Sequence, residues 1–235
     1  MIDALASPSG AAMVLAATLL TLVAYGLALW AYQRSGWELL LPILTGTTLV
    51  VVTLLAMDIP YRVYREGTAL LSWLAGPATV ALALPLYAQR ARLRGIWWPV
   101  VGAVLAGSAT AVISAIGIAW LLGANWELMM SLAPKSATMP VAMPLAQSVG
   151  GVASMSAVAV ALTGIAAAVF STRLFSLLRV KSDTVRGLAL GAAAHAIGTA
   201  RAVQLSETAV AFAALAMGLT ALITSILVPL IVRLL

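Results

Sequence analysis

The sequence predicts an all-α polytopic membrane protein, and three observations lead to this prediction. Of the 235 residues, 63% are hydrophobic and only 9% are charged, whereas soluble domains average about 25% charged residues. The mean hydropathy is +1.09. Apolar runs of about 20 residues, the length that crosses a bilayer, recur along the chain, and no alternating strand pattern interrupts them. We therefore expect helices throughout, in a single transmembrane domain over residues 1–235.

The order of elements follows from these runs and from the signals that bound them. The second run ends at Asp58 and Pro60, and the Tyr and Arg side chains that follow are typical of a membrane interface. Trp97 and Trp98 open a long run as an aromatic belt would. The predicted elements, in chain order, are apolar runs at 11–33 and 37–57, an interfacial stretch at 61–67, a broken segment at 68–89, a run at 95–123, a second broken segment at 125–149, a run at 152–172, a basic linker at 173–186, a small-residue segment at 187–201 and a final run at 206–232.

The second broken segment is apolar enough for a bilayer, yet residues 129–145 contain three prolines, one lysine and several hydroxyls. Residues 70–86 align with this stretch without a gap at an offset of 59. Such a repeat of a broken membrane segment indicates a transport site. We place the repeat cores at about 68–123 and 127–172. The identical pairs are Ser72/Ser131, Ala78/Ala137, Thr79/Thr138, Ala83/Ala142, Pro85/Pro144 and Leu86/Leu145.

Charge distribution favours two re-entrant hairpins over two crossings. If both broken segments turn back, near Gly76-Pro77 and near Pro134-Lys135, nearly all basic residues between runs lie on one side, as the positive-inside rule requires. The two hairpins then enter from opposite faces as inverted repeats. Full crossing remains the alternative, because each segment is just long enough to span. The basic residues brought to one side are Arg62, Arg65, Arg90, Arg92, Arg94, Arg173, Arg179, Lys181 and Arg186.

Lys135 is the first candidate for a ligand-binding residue. A lysine near the bilayer centre costs about 2.5–3.5 kcal/mol on insertion scales, so such residues tend to mark functional sites. Ser136 or Thr138 is expected to cap a half-helix whose N-terminus, beside Lys135, would attract a small anion. The alternative is that Lys135 snorkels and the prolines only kink a helix. In the first copy Thr79 keeps the hydroxyl but the charge is missing.

His195 is the second candidate, in a Gly- and Ala-rich segment that allows close helix packing. With Thr199 one turn away and Arg201 nearby, the imidazole could relay a proton or bind a carboxylate. It could equally be a hydrogen-bonded packing residue, and Arg201 an interfacial anchor. The predicted turns and hinges are Gly76, Pro77, Pro134, Pro140, Gly150 and Gly151.

Other function classes are not supported by the residues. The chain has no cysteine, which excludes disulfides and thiolate metal sites, and its one histidine and seven carboxylates show no metal-ligand spacing. The net charge of +6 comes from residues between apolar runs, so we expect no nucleic acid as partner. No acidic residue is placed to orient His195 in a triad, and no phosphate-binding loop is present. We expect no enzyme, metal or cofactor.

Several motifs resemble those of the LrgB/CidB membrane family. They are Lys135-Ser-Ala-Thr-Met-Pro-Val-Ala-Met143 followed by Gly150-Gly151, Leu162-Thr-Gly-Ile165, the stretch from Arg186 to Arg201 around His195, and the stretch from Gly76 to Tyr87. The resemblance covers about residues 36–232. Lys135, Ser136, Thr138, His195 and Arg201 fall on matching family positions.

The resemblance implies two functions. Bacterial members are described as holin-like or antiholin-like modulators of murein hydrolase export and cell lysis, acting with a small LrgA/CidA-type membrane partner. Plant relatives resemble a plastidic glycolate/glycerate translocator, and some bacterial pairs are linked to pyruvate uptake. We expect a multi-pass carrier, or its transport subunit, in the bacterial inner membrane, for small monocarboxylates and with possible proton coupling. Lysis modulation is the alternative. A separate partner and a homodimer or larger assembly are expected.

Overall fold

The computed structural model describes residues 8–37 and 40–234, with the side chains of residues 8, 9, 75, 78 and 79 outside that description. Throughout the described part the chain is helical and contains no strand, which confirms the all-α class. The helices are α1 (Pro8–Ser35), α2 (Pro42–Ala56), α3 (Tyr61–Gly67), α4 (Ala69–Ala81), α5 (Ala83–Ala88), α6 (Arg90–Leu121), α7 (Trp126–Leu132), α8 (Met139–Ser148), α9 (Ala153–Leu177), α10 (Asp183–Ala202) and α11 (Glu207–Val232).

Among the described helices, four are long and apolar enough to cross a bilayer: α1, α6, α9 and α11. The chain is thus a polytopic membrane protein. It divides into two compact units, of which the first ends at Ala81 and the second begins at Leu82. The predicted repeat core at 68–123 lies across this boundary, so the repeat relation and the single domain stay predictions.

In the first unit, α1 packs against α2 and α3. Ala24 on α1 is buried with Val50 and Leu54 on α2. Across this core Tyr64 Oη and Thr21 Oγ1 lie 2.9 Å apart and share a hydrogen bond. The interfacial stretch expected at 61–67 is therefore a short helix that α1 holds in place.

The turn predicted at Gly76 and Pro77 is wrong, because helix α4 runs through both residues and ends only at Ala81. Pro77 lacks one backbone N–H and so removes one helical hydrogen bond. Proline is nevertheless tolerated inside membrane helices, where neighbouring helices and side chains satisfy the freed backbone groups. The side chain of Thr79, the candidate in this segment, lies outside the described residues.

Three long helices frame the second unit. Near their N-termini, the Arg92 guanidinium of α6 lies 6.0 Å from the Phe212 ring of α11. Near their C-termini, Val112 of α6 packs in one cluster with Val228 of α11 and Met130 of α7. Helices α6 and α11 are therefore parallel. Helix α9 begins beside α7, at the end where α6 and α11 finish, so it runs in the opposite direction.

Helices α7 and α8 form a hairpin within this frame. Trp126 Nε1, at the start, donates a hydrogen bond of 3.1 Å to the carbonyl of Val149, just after the end. The amide of Val152 donates to Ser131 Oγ at 2.8 Å. The longer arm, α8, has 10 residues and extends about 15 Å at 1.5 Å per residue, half the hydrocarbon thickness. The second broken segment thus turns back at residues 133–138 and leaves where it entered.

Gly150 makes the turn that follows this hairpin. Its φ is +87°, in the left-handed region that favours glycine. Gly151 sits so close to the hairpin that a Cβ there would lie 2.7 Å from the amide nitrogen of Ser131. The two glycines therefore join the hairpin tightly to α9.

Helix α10 also reverses direction, at His195, where φ is 43° and ψ is −128°. In a straight helix Gly198 would lie about 12 Å beyond Leu190, yet a Cβ on Gly198 would overlap the Leu190 carbonyl. The first arm, residues 183–194, runs parallel to α11, since Gly187 abuts Ala209 and Gly191 abuts Ala213. The second arm, residues 196–202, returns toward the N-terminus of α11.

The reversal creates a second hairpin that the sequence interpretation did not include. Arg201 Nη2, on the returning arm, donates to Thr172 Oγ1 at 3.0 Å, near the C-terminal end of α9. The α10 hairpin therefore enters from the end of the unit opposite to the α7–α8 hairpin. The two hairpin tips, residues 133–138 and His195, approach the same part of α9 from opposite ends of the second unit.

Cysteine labelling tests this topology, because the chain has no native cysteine. We expect single cysteines at Leu122 and Ser148, which flank the α7–α8 hairpin, to react with an impermeant maleimide from one side of the membrane. Cysteines at Lys181 and Val203, which flank the α10 hairpin, should react only from the other side. Right-side-out and inverted vesicles supply the two exposures.

The cysteine-free parent measures background labelling in this experiment. Labelling of Leu122 and Ser148 from opposite sides would mean that α7 and α8 cross the membrane. Labelling of cysteines at Lys181 and Val203 from opposite sides would contradict the reversal of α10 at His195.

Candidate functional site

A cavity of about 680 Å³ opens between the α7–α8 hairpin tip and the first arm of α10. Pro99, Val104 and Gly107 of α6 form one wall, and Leu188 and Ala192 of α10 form the facing wall. Small and apolar side chains make up most of this lining. The polar lining residues are Lys135, Ser136, Thr163 and Thr184.

Lys135 and Ser136 bring polar groups from the hairpin tip. Lys135 Nζ donates to Ser136 Oγ at 3.4 Å. Ser136 is buried, with 5% of its surface exposed, and Lys135 is partly buried. The described structure gives Lys135 no carboxylate partner: its ion pairs join Arg62 to Glu66 and Arg186 to Asp183. The ammonium thus faces an apolar cavity with a single neutral hydroxyl as its acceptor.

The backbone of the tip explains how a lysine reaches this position. Helix α7 ends at Leu132, and buried Pro134 begins a tight turn in which the Ala137 amide donates to the Pro134 carbonyl at 2.9 Å. Proline cannot continue the preceding helix without loss of a hydrogen bond, and it disfavours helical backbone in the residue before it. Pro140 sits in the first turn of α8, where a missing N–H costs nothing.

The hydroxyl cap expected on α8 is not formed. Thr138 holds the N-cap position, with φ −68° and ψ 149°, but its side chain accepts no hydrogen bond from the helix. The Ser136 hydroxyl instead accepts from Lys135. Without this cap, the first amide groups of α8 have no acceptor from Thr138, and Thr138 does not line the cavity.

The two hairpin tips meet on one turn of α9, from Val160 to Gly164. Ala137 of the first tip packs against Val160 in a buried cluster. From the other tip, His195 Nε2 lies 3.0 Å from the Val160 carbonyl. A carbonyl only accepts, so Nε2 carries the proton and donates. A Cβ on Gly164 would lie 2.8 Å from Cε1 of His195, so glycine alone leaves room for the ring.

His195, Thr199 and Arg201 are not brought to the cavity with Lys135. Buried Thr199 donates to the His195 carbonyl at 3.0 Å, and Arg201 donates to Thr172 and to Gln204. These bonds hold the α10 hairpin to itself and to α9. A single site that combines Lys135, His195 and Arg201 is therefore not formed, and a substrate contact for the latter two stays a prediction.

Thr163 is a cavity residue that reasoning from the sequence did not select. It appears in the Leu162–Ile165 motif, but a threonine in an apolar helix gives no signal of its own. Its placement depends on the α9 turn that both hairpins contact. Within the described residues, no group of three or more His, Asp or Glu side chains could hold a metal ion.

Comparison with known proteins now identifies the family. The family model described as LrgB-like matches residues 21–234. This chain belongs to the LrgB-like family. The match confirms the resemblance seen in the motifs around Lys135 and His195.

Individual relatives of this LrgB-like chain cover nearly its whole length. "Uncharacterized protein YxaC" of Bacillus subtilis (strain 168) is 37% identical over 214 residues, which span 91% of this chain and 93% of the relative. "Antiholin-like protein LrgB" of Bacillus cereus (strain B4264) is 30% identical over 210 residues, which span 89% of this chain and 91% of the relative. A Bacillus anthracis protein of the same name has the same identity and coverage. No solved structure matches the chain.

Gly164→Ala tests the contact between α9 and the second tip. The added methyl would lie 2.8 Å from both His195 Cε1 and Ile197 Cδ1. Overpacking of this kind costs about 1–3 kcal/mol, more than the gain in helix propensity from glycine to alanine, about 0.5–1 kcal/mol. We expect a lower melting temperature of the detergent-solubilised protein.

Gly117→Ala on α6 is the matched control, because a Cβ there meets no atom within 4 Å. It should leave the melting temperature unchanged or raise it slightly. Equal melting temperatures for both variants would mean that the His195 ring does not rest on Gly164.

Proposed function

We propose that this LrgB-like protein is a membrane carrier, or the transport subunit of one, for small 2-hydroxy or 2-oxo monocarboxylates such as glycolate, glycerate or pyruvate. The observation that carries the proposal is the Lys135 ammonium, which faces an apolar cavity from the tip of a broken hairpin without a carboxylate partner in the described structure.

The positive charge of Lys135 favours an anionic substrate. A lysine removed from water costs free energy unless an opposite charge or hydrogen bonds compensate it. Here the protein supplies one hydroxyl, that of Ser136. A carboxylate in the cavity would complete the pair, and one positive charge suits one carboxylate. The selectivity for an anion follows from the same residue, because a cation would be repelled.

The opposed hairpins support transport rather than storage of a ligand. Carriers commonly place the substrate between broken helices near the bilayer midplane and expose it alternately to each face. In this chain the two tips come from opposite ends of the second unit, and both contact the α9 turn at Val160. Movement of either hairpin would open the site toward the face from which that hairpin enters.

A second candidate function is antiholin-like modulation of murein hydrolase export and cell lysis. The printed names of the Bacillus cereus and Bacillus anthracis relatives favour it. These names bear on lysis more directly than on transport. Under either function we propose a location in the bacterial inner membrane, a separate small LrgA-type membrane partner and a homo-oligomer, and we propose no enzymatic activity.

Uptake into proteoliposomes tests the carrier function. We expect uptake of radiolabelled glycolate or pyruvate to require the protein, alone or reconstituted with its small partner, and to fall at least tenfold in Lys135→Ala. The reason is the loss of the positive charge that pairs with the carboxylate. Lys181→Ala, in an exposed loop, is the matched control and should keep wild-type uptake.

This experiment distinguishes the carrier function from lysis modulation. Absence of uptake of every labelled monocarboxylate, with the partner present, would overturn the carrier proposal. If Lys135→Ala also alters the timing of autolysis in cells, lysis depends on the same cavity. An unchanged lysis phenotype together with lost uptake would show that transport, and not lysis, uses Lys135.

A further inference from the structure

We propose that Thr163 determines specificity in the cavity, by binding the hydroxyl or oxo group next to the carboxylate that Lys135 holds. This inference rests on the proposed carrier function and adds to it a residue and a role. Three features of the cavity support it: the free Thr163 hydroxyl, its position beside the hairpin tip, and the apolar character of most of the remaining lining.

The Thr163 hydroxyl has no hydrogen-bond partner in the described structure. Threonine in an apolar helix ordinarily donates to the carbonyl four residues earlier, and Thr48, Thr53 and Thr110 all do so, at 2.8 Å. Thr163 forms no such bond. Its side chain is partly exposed, and it lines the cavity. A hydroxyl left free in apolar surroundings is available to a ligand.

The position of Thr163 places this hydroxyl near the charged tip. Thr163 lies one helical turn after Val160, on which Ala137 of the tip packs. Lys135, Ser136 and Thr163 line the same cavity. The turn of α9 that carries Thr163 is fixed by the α10 hairpin, because His195 bonds to the Val160 carbonyl and its ring fills the space over Gly164. A fixed backbone gives a hydroxyl a defined direction.

Beyond Lys135 and Ser136 of the hairpin tip, the rest of the lining gives the substituent no other partner. The fourth polar lining residue, Thr184, has a buried Oγ1 with almost no accessible surface, and the other lining residues are apolar. Lysine is a donor only and matches a carboxylate, whereas a threonine hydroxyl both donates and accepts. Thr163 can therefore bind either a 2-hydroxy or a 2-oxo group, which fits acids of both classes.

The test compares matched acids that differ only in the 2-hydroxyl group. Glycolate and acetate, and likewise lactate and propionate, compete against labelled glycolate in proteoliposomes of wild type, Thr163→Val, Thr163→Ser and Thr110→Val. Valine keeps the shape of threonine and removes the hydroxyl, while serine keeps the hydroxyl. Thr110 is a lipid-exposed threonine outside the cavity lining and serves as the control.

In wild type we expect glycolate to compete at least tenfold better than acetate. A site that hydrogen-bonds a substrate hydroxyl rejects the analogue that lacks it, since its own polar group is then left unpaired. In Thr163→Val this preference should fall by about tenfold through weaker glycolate binding, with acetate nearly unchanged. Thr163→Ser should restore the preference, and Thr110→Val should keep it.

The outcomes are distinguishable from failure of the carrier proposal. If Thr163→Val weakens the binding of glycolate and acetate equally, or of neither, Thr163 does not bind the 2-substituent. Uptake that depends on Lys135 is compatible with that result. If no acid competes in wild type and no uptake occurs, the carrier proposal fails and this inference with it. Unchanged acetate competition in Thr163→Val also shows that the variant is folded.

Discussion

One turn of α9, from Val160 to Gly164, supports both interruptions of helix in the second unit. A break in a membrane helix leaves backbone groups that lipid cannot satisfy, so broken segments persist only where protein buries them. Here Ala137 packs on Val160 from one side, and His195 donates to the Val160 carbonyl from the other. The absence of a side chain at Gly164 makes the second contact possible. These contacts bring the two hairpin tips to the same turn of α9.

Both tips contain a residue that is costly in isolation. Lys135 places a charge in apolar surroundings, and His195 has a backbone conformation that non-glycine residues rarely adopt, in a segment where glycine is common. Strain of this kind costs about 1–3 kcal/mol and persists when neighbouring contacts over-determine it. The His195 imidazole provides such contacts through Val160 and Gly164. The charged residue and the strained residue thus lie at the two tips that contact the same turn of α9.

The sequence predicted the first tip better than the second, for physical reasons. Three prolines and a lysine in an apolar segment are local signals, and they located the break at residues 133–138. The reversal at His195 has no proline. It depends on close approach to α11 and α9 through Gly187, Gly191 and Gly164, which are distant in the sequence. The same lack of tertiary information led to a false turn at Pro77, where the helix continues. The position of Thr163 in the cavity lining likewise cannot be predicted from the sequence, because it depends on the arrangement of α6, α9 and α10 around the cavity.

The fold-back of α10 has a consequence for membrane insertion. With Asp183, Arg186 and Arg201 in a stretch rich in glycine and alanine, residues 183–202 are poorly suited to partition into lipid as a spanning segment. Their bonds go to Thr172 of α9, inserted before them, and their glycines fit against Ala209 and Ala213 of α11, inserted after them. The hairpin can therefore reach its observed position only when both α9 and α11 are present. The cavity between the first arm of α10 and the α7–α8 hairpin tip is thus completed only once α11 has been synthesised.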